Sequence, residues 1–211
     1  SEDHLDRYKD MNAYIAAKLK IAEFTNKLVY DLSDSILNER LKNISNAEKI
    51  NHEKSKYKIL NDSIYNDDGL MFSLTETNFI GRHNLLNALN AATIASLYGV
   101  SDQDIINSIK KIKPLPHRLE LVKSIGSMKF YNDSKSTNIE STIKALESFT
   151  KDVVLILGGL NKGSDFSDLI SSLNPVNKIY CYGESGEEIL SKLDVGVRAK
   201  YFNNFSKCVN E

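Results

Sequence analysis

Apolar residues recur along this chain with two spacings, and each spacing is typical of one kind of element. Where they recur every three or four residues, the pattern predicts a helix with one buried face. Helices are expected on this basis at residues 11–26, 84–98, 139–149, 166–173 and 186–193. Two further helices are predicted from their first residues, one capped by Ser33 and one capped by Ser101 together with Asp104. The residues expected to be buried in the second of these helices are Ile105, Ile106, Ile109 and Ile112.

Short apolar runs predict strands, and their arrangement changes midway along the chain. In the first half, strands are expected at 28–30, 56–65 and 70–74, the last two joined by a hairpin turn that contains Asp68-Gly69. In the second half, strands are expected at 119–122, 128–131, 153–157 and 178–182. Because helices alternate with these later strands, the pattern predicts a parallel sheet with right-handed crossovers. The run at 153–157 is apolar throughout, as expected for a strand covered on both faces.

Pro114 and Pro116 mark the predicted boundary between two α/β units, residues 1–113 and 114–211. Proline cannot continue a helix, and it restricts the residue before it, so the preceding helix has to end here. A chain of 211 residues is long enough for two small domains.

Composition narrows the possible classes of protein. The formal net charge of −1 gives no reason to propose nucleic acid or a membrane surface as partner. No apolar run has the length of a membrane span, and no signal-peptide pattern is present. The two cysteines, Cys181 and Cys208, lack metal-ligand spacing, and this usage fits a reducing cytosol. Cys181 lies in an apolar run and is predicted to be a core residue.

The segment from Asn132 to Asn138 combines an acid, a lysine and three hydroxyls between a predicted strand and a predicted helix. In α/β folds such a turn lies at the carboxyl edge of the sheet, where ligands bind. The helix N-terminus also favours phosphate or carboxylate. The alternative is an Asx turn followed by a helix cap. A second loop, Gly158 to Gly163, offers glycines and Lys162 after a buried strand, but it is not a P-loop.

Four segments, taken in this order, resemble the Mur ligase family. They are Gly81 to Ala88 (GRHNLLNA), Leu115 to Glu120 (LPHRLE), Asn132 to Asn138 (NDSKSTN) and Gly158 to Phe166 (GGLNKGSDF). Asp3 to Tyr8 and Ala16 to Leu19 also match, so the resemblance covers nearly everything except the last dozen or so residues. The last three of the four segments together are similar to the branch of the family that adds D-glutamate.

The resemblance implies an α/β fold in which residues 1–113 are the remainder of a central mononucleotide-binding ATPase domain. Residues 114–211 would be most of a Rossmann-like C-terminal domain with a mainly parallel sheet. The implied activity is ATP-dependent ligation of D-glutamate to UDP-N-acetylmuramoyl-L-alanine through an acyl phosphate, in peptidoglycan synthesis, by a bacterial cytoplasmic monomer. The family's N-terminal domain, Walker-type loop and last segment have no counterpart in these residues, so we expect this chain alone to be inactive.

The resemblance also assigns roles to individual residues. The positions implied to contact ATP are Asn84, Asn87, Arg118 and Asp133. The positions implied to bind D-glutamate are Lys135, Thr137 and Lys162. The positions implied to hold Mg²⁺ are His4 and Lys18, and Lys18 is implied to be carbamylated by CO₂. The implied catalytic residues are His4, Lys18 and Asp133. Carbamylation needs the neutral amine, which burial would favour. The family usually has Asp where this chain has Asn161, so the charge of that loop departs from the pattern.

Residue types alone also allow structural interpretations that involve no ligand. Asn84 is as suitable for capping a helix as for contacting a purine edge, and Arg118, His4 and Lys18 would ordinarily be solvated surface residues. Another Mur ligase or a folylpolyglutamate synthetase is an alternative, although these lack the combined Asp-Ser-Lys-x-Thr-Asn and Gly-Gly-x-x-Lys-Gly signature. A non-catalytic nucleotide-binding module is the alternative from another class, and a Walker-type loop upstream of Ser1 would argue against it.

Overall fold

The computed structural model describes residues 7–31, 34–45, 47–51, 53–161, 163, 165–193 and 198–211. The predictions for His4, Ser33 and Lys162 lie outside these residues. The chain divides into two units, Ser1–Lys113 and Pro114–Glu211.

The first unit combines helices with two small sheets. Its helices are α1 (Met11–Leu19), α2 (Ser35–Leu41), α3 (Arg82–Leu97) and α4 (Asp102–Lys111), with 3₁₀ turns at Lys20–Glu23 and Leu74–Glu76. Its strands are β1 (Lys27–Val29), β2 (Glu48–Ile50), β3 (Lys58–Leu60), β4 (Ser63–Asn66) and β5 (Gly69–Ser73). β1 pairs in parallel with β2, whereas β3, β4 and β5 form an antiparallel sheet in that order.

Local signals explain most of these elements. Ser101 caps α4 by accepting a hydrogen bond from the backbone N–H of Asp104, as predicted. Gly99 follows α3 with φ 81°, the left-handed conformation that commonly ends a helix. The strand predicted at 56–65 is instead split into β3 and β4, because Asn61 turns the chain with φ 52°. The helix predicted to reach residue 26 is shorter, since it ends at Leu19 and a 3₁₀ turn follows at Lys20–Glu23.

The core of the first unit lies between α3, α4 and the β3–β5 sheet. Its buried residues are Tyr57, Ile64, Met71, Phe72, Leu85, Leu89, Ala92, Ile105 and Ile109. Ile106 packs against this core, but Ile112 is 49% exposed because it lies beyond the last residue of α4. The prediction that Ile112 would be buried is therefore wrong.

The second unit contains a parallel sheet and a separate two-stranded ribbon. Its strands are β6 (Glu120–Ile125), β7 (Met128–Asn132), β8 (Val153–Gly158), β9 (Val176–Tyr182) and β10 (Arg198–Phe202). Its helices are α5 (Ile139–Leu146), α6 (Gly186–Leu193) and α7 (Phe205–Asn210), with a 3₁₀ helix at Phe166–Ser172. β8, β9 and β10 are all parallel, with β9 in the middle. This agrees with the predicted α/β class.

β6 and β7 correct one prediction, since they pair antiparallel with each other rather than joining the parallel sheet. Only Gly126 and Ser127 connect them, and a parallel crossover needs a dozen or more residues. Gly126 has φ 58°, which suits a tight turn. The segment after β7 therefore leaves an antiparallel ribbon, not the carboxyl edge of the parallel sheet.

The parallel sheet has its main core on one side. Leu146, Leu169, Ile179, Ile189 and Leu193 lie in this core, which brings α5, the 3₁₀ helix and α6 against the sheet. Cys181 is fully buried in the same core, which confirms its predicted place. Val154 of β8 is 50% exposed, so the expectation that this strand is covered on both faces is wrong at that position.

Candidate functional site

The turn after β7 is held by a half-buried aspartate. The Oδ1 of Asp133 accepts a hydrogen bond from the backbone N–H of Leu119 at 2.9 Å, and its Oδ2 accepts one from the hydroxyl of Ser136 at 2.5 Å. The backbone N–H of Lys135 donates to the carbonyl of His117 at 3.0 Å. The carboxylate thus ties the turn to the segment that carries Arg118.

The backbone of that segment is unusual. His117 and Leu119 adopt φ 66° and 44°, a region that residues other than glycine seldom occupy. A carboxylate oxygen of Glu120 accepts a hydrogen bond from the His117 N–H at 2.8 Å, which helps to hold this conformation. Such strain is often found at functional sites. Arg118 lies between the two strained residues with an exposed side chain.

The Asx turn and the helix cap considered for Asn132 to Asn138 are both present, and ligand binding by this segment stays a prediction. Asn132 accepts a hydrogen bond from the N–H of Ser134, which makes an Asx turn, and Asn138 caps α5 through the N–H of Ser141. Lys135 and Thr137, which follow Asp133 closely in the sequence, nevertheless have exposed side chains. The turn is therefore structured by its amides and leaves its charged and hydroxyl groups accessible.

The turn after β8 lies at the carboxyl edge of the parallel sheet. Gly158 pairs with Tyr182, so the chain segments that follow β8 and β9 emerge side by side. The Ser185 N–H donates to the carbonyl of Gly159 at 3.0 Å, and the Asn161 N–H donates to the buried Ser185 hydroxyl at 2.6 Å. This edge is where ligands of α/β folds bind.

Asn84 and Asn87 lie on the first turns of α3. The N-cap is Gly81, with φ 85°, so Asn84 is not the cap. Its Nδ2 donates instead to the carbonyl of Ile80 at 2.8 Å, which leaves its Oδ1 able to accept another hydrogen bond. Asn87, one turn later, has an exposed side chain.

Lys18 lies on α1 and is exposed, with its Nζ 5.5 Å from the centre of the Tyr14 ring. The burial expected to favour its neutral amine is therefore absent. Within the described ranges, no three acidic, histidine or cysteine side chains lie together as a metal site would require. The metal assignment to His4 and Lys18 stays a prediction.

One polar cluster was not predicted from the sequence. Asp102, the first residue of α4, accepts hydrogen bonds from Lys56 Nζ, Tyr57 Oη and Asn66 Nδ2 at 2.7, 2.6 and 2.7 Å. Its hydrogen bonds to Lys56, then to Tyr57 and Asn66, lower the pKa of Asp102 to about 2. Its three donors lie 36 to 46 positions away, so no local pattern reveals the cluster.

The comparisons with known proteins follow the same division of the chain. The Mur ligase middle domain matches residues 1–95, and the Mur ligase glutamate ligase domain matches residues 117–211. The chain belongs to the Mur ligase family. None of the helices in the described part is long and apolar enough to span a bilayer.

Curated relatives extend this similarity across both domains. The chain is 36% identical over 211 residues to the UDP-N-acetylmuramoylalanine--D-glutamate ligase of Francisella tularensis subsp. tularensis strain SCHU S4, covering 98% of this chain and 47% of that protein. It is 39% identical over 193 residues to the protein of the same name from Francisella philomiragia, covering 90% and 43%. The chain thus spans about half the length of the curated relatives it matches.

Solved structures share the fold at low sequence identity. MurF from Acinetobacter baumannii matches with a TM-score of 0.74 and 19% identity, covering 100% of this chain and 50% of that one. MurC from Thermotoga maritima matches with a TM-score of 0.70 and 16% identity, covering 96% and 49%. Escherichia coli FolC in complex with ADP matches with a TM-score of 0.66 and 17% identity, covering 100% and 53%.

Proposed function

We propose that the whole protein is an ATP-dependent ligase that adds D-glutamate to UDP-N-acetylmuramoyl-L-alanine in peptidoglycan synthesis. The observation that carries this proposal is the 36% identity over 211 residues to proteins named for that ligation. Residues 1–113 would be part of the central ATPase domain, and residues 114–211 most of the ligase domain. The 211 residues alone are expected to be inactive, because they contain no Walker-type loop.

The proposed reaction has two steps. A carboxylate oxygen of UDP-N-acetylmuramoyl-L-alanine attacks the γ-phosphorus of ATP, and ADP leaves. The amine of D-glutamate then attacks the carbonyl carbon of the acyl phosphate and loses a proton, and the tetrahedral intermediate expels phosphate. The released phosphate therefore carries one oxygen that began in the carboxylate. Such reactions depend mainly on positioning and on stabilising the charge of the transferring group.

Asp133 supplies the proposed carboxylate near the γ-phosphate of ATP. Its two hydrogen bonds, to Leu119 and Ser136, fix the orientation of the carboxylate and use only part of its acceptor capacity. Mg²⁺, when bound, neutralises phosphate charge, and in nucleotide sites it keeps several waters and takes one or two protein carboxylates. The Asp133 carboxylate would be able to accept a hydrogen bond from a metal-bound water. His4 and a carbamylated Lys18 are the proposed protein ligands.

The remaining assignments follow the chemistry of the side chains. Lys135 and Thr137 offer a cation and a hydroxyl to the carboxylates of D-glutamate, together with Lys162. Arg118 offers a guanidinium to the phosphates of ATP. The carboxamides proposed to contact the nucleotide are those of Asn84 and Asn87.

The carbamate on Lys18 has its own test in the whole protein. Replacing Lys18 by alanine should remove an oxygen ligand and lower kcat on the order of 10²–10³-fold. Formate or acetate should restore part of the rate, whereas chloride at the same ionic strength should not. Near-normal activity of Lys18→Ala would overturn the carbamate and its metal role.

The experiment that tests the proposed function is an amino-acid panel. Whole protein supplied with ATP, Mg²⁺ and UDP-N-acetylmuramoyl-L-alanine should release phosphate with D-glutamate and hardly at all with L-glutamate, L-lysine or meso-diaminopimelate. Preference for L-lysine or meso-diaminopimelate would make the protein another Mur ligase. Phosphate release with none of the four would favour a non-catalytic nucleotide-binding module.

A further inference from the structure

Asn161 joins three separate parts of the second unit. Its backbone N–H donates to the Ser185 hydroxyl at 2.6 Å, and its Oδ1 accepts from the N–H of Gly163 at 3.0 Å. Its Nδ2 donates to both carboxylate oxygens of Glu188 on α6, at 3.0 and 3.1 Å. The side chain therefore fixes its own loop and fastens that loop to the helix after the next strand.

The pair of Asn161 and Glu188 is matched in donors and acceptors. An amide supplies the donors, and the ionised carboxylate can only accept. An aspartate at 161 would place two carboxylates within hydrogen-bonding distance of each other. Neither could donate, so the hydrogen bonds between positions 161 and 188 would be lost. This donor–acceptor pairing depends on an amide at 161 and a carboxylate at 188, two positions that lie 27 residues apart.

The pair also lies at the edge of the sheet where a ligand is expected. Gly159 accepts a hydrogen bond from the Ser185 N–H, and Ser185 is 6% exposed, so the base of the loop is anchored in a buried position. Gly183 is packed so closely that an added Cβ would lie 3.0 Å from the Gly159 nitrogen. The loop consequently has a firm base, and Asn161 and Glu188 hold its outer part.

We propose that Asn161 and Glu188 are a positioning pair that sets the affinity of this loop for the amino-acid substrate. The proposal rests on the proposed function, in which the loop after β8 binds the carboxylates of D-glutamate. The pair does not touch the reacting atoms. It acts through the loop, so its loss should change the KM for D-glutamate more than kcat or the KM for ATP.

The test uses the whole protein with Asn161→Asp, an isosteric change that keeps the acceptor for Gly163 and removes the Nδ2 group that donates to Glu188. The KM for D-glutamate should rise roughly threefold to tenfold, as expected when a like charge replaces a hydrogen-bonded pair near the surface. The KM for ATP should stay the same. Adding Glu188→Gln should restore the KM for D-glutamate, because the new amide donates to the new carboxylate.

Two control variants separate positioning from charge alone. Glu188→Ala in the Asn161→Asp background removes the repulsion without supplying a donor, so it should rescue less than Glu188→Gln. Glu187→Gln, the neighbouring exposed acid of α6, should not rescue. An unchanged KM for D-glutamate, an equal rise in the KM for ATP, or equal rescue by the three second changes would overturn the inference. Wild-type protein that does not use D-glutamate would instead overturn the proposed function, and the inference with it.

Discussion

Two half-buried aspartates, one in each unit, differ in their hydrogen-bond partners. Asp102 accepts three side-chain hydrogen bonds, two at Oδ1 and one at Oδ2. Asp133 accepts one at each oxygen, and one of its donors is a backbone N–H. The first carboxylate is largely satisfied within its unit, whereas the second keeps acceptor capacity for a ligand.

Hydrogen-bond partners, rather than burial, distinguish these two carboxylates. Asp102 links α4 to Tyr57 and to the end of β4, so it stabilises the fold of the first unit. Asp133 is oriented by its partners but not saturated by them, which suits a group that contacts a substrate or a metal-bound water. Removing the first should mainly affect stability, and removing the second should mainly affect rate.

The largest expected effect is on catalysis by Asp133→Asn in the whole protein. The amide can still accept the Leu119 N–H, so the turn should keep its shape, but the negative charge is lost. We expect kcat for D-glutamate-dependent phosphate release to fall on the order of 10²–10³-fold. Ser136→Ala keeps the carboxylate and should cost less than about tenfold, the usual size of one lost hydrogen bond. Equal losses for the two variants would mean that Asp133 is only a structural acceptor.

Asp102→Asn should give the largest effect on stability. Lys56 would lose its ionic partner, and the lost network should lower the unfolding free energy of the first unit by about 1–2 kcal/mol. Hydrogen exchange of the backbone amides of α4 measures this change locally. Asp104→Asn is the matched control, because it removes the same charge from the same helix turn. Equal effects of the two changes would point to the helix dipole rather than to the network.

The same network predicts a pH dependence. The pKa of Asp102 is lowered from near 3.8 to about 2 in the folded chain, so its contribution is complete above pH 4 and is lost as the pH falls towards 2. The difference in α4 exchange between wild type and Asp102→Asn should therefore narrow over that interval. A difference that stays constant from pH 5 to pH 2 would contradict the lowered pKa.

The smallest expected effect is that of Lys56→Gln. The Lys56–Asp102 ion pair is 2.7 Å long, but the two side chains are 44% and 27% exposed. Exposed ion pairs typically contribute about 0.2–1 kcal/mol. Tyr57 and Asn66 would still donate to Asp102, so α4 exchange should change less than in Asp102→Asn. An equal change would assign most of the stabilisation to the ion pair alone.

Local signals were predictable from the sequence. The cap at Ser101, the helix end at Gly99 and the hairpin at Asp68-Gly69 depend on residues a few positions apart, and all are present. The β6–β7 ribbon was mispredicted although its signal was local, because the alternation of strands and helices was given more weight than the two-residue connection.

Non-local contacts were not predictable in this way. The Asp102 cluster and the Asn161–Glu188 pair join residues 27 to 46 positions apart, and only the folded chain brings them together. β2, β10 and α7 were also missed, because their short segments show no strong apolar period. The segment resemblance indicated which residues to consider at the candidate site, but not that Asp133 ties its turn to the backbone of Leu119.

The central claim is that the whole protein activates a carboxylate as an acyl phosphate, and isotope transfer tests it most directly. UDP-N-acetylmuramoyl-L-alanine labelled with ¹⁸O in its terminal carboxylate is incubated with ATP, Mg²⁺ and D-glutamate, and the released phosphate is analysed by mass spectrometry. The account predicts one ¹⁸O in each phosphate, because the carboxylate oxygen leaves with the phosphoryl group. Phosphate without ¹⁸O, released at the rate of ADP formation, would contradict it.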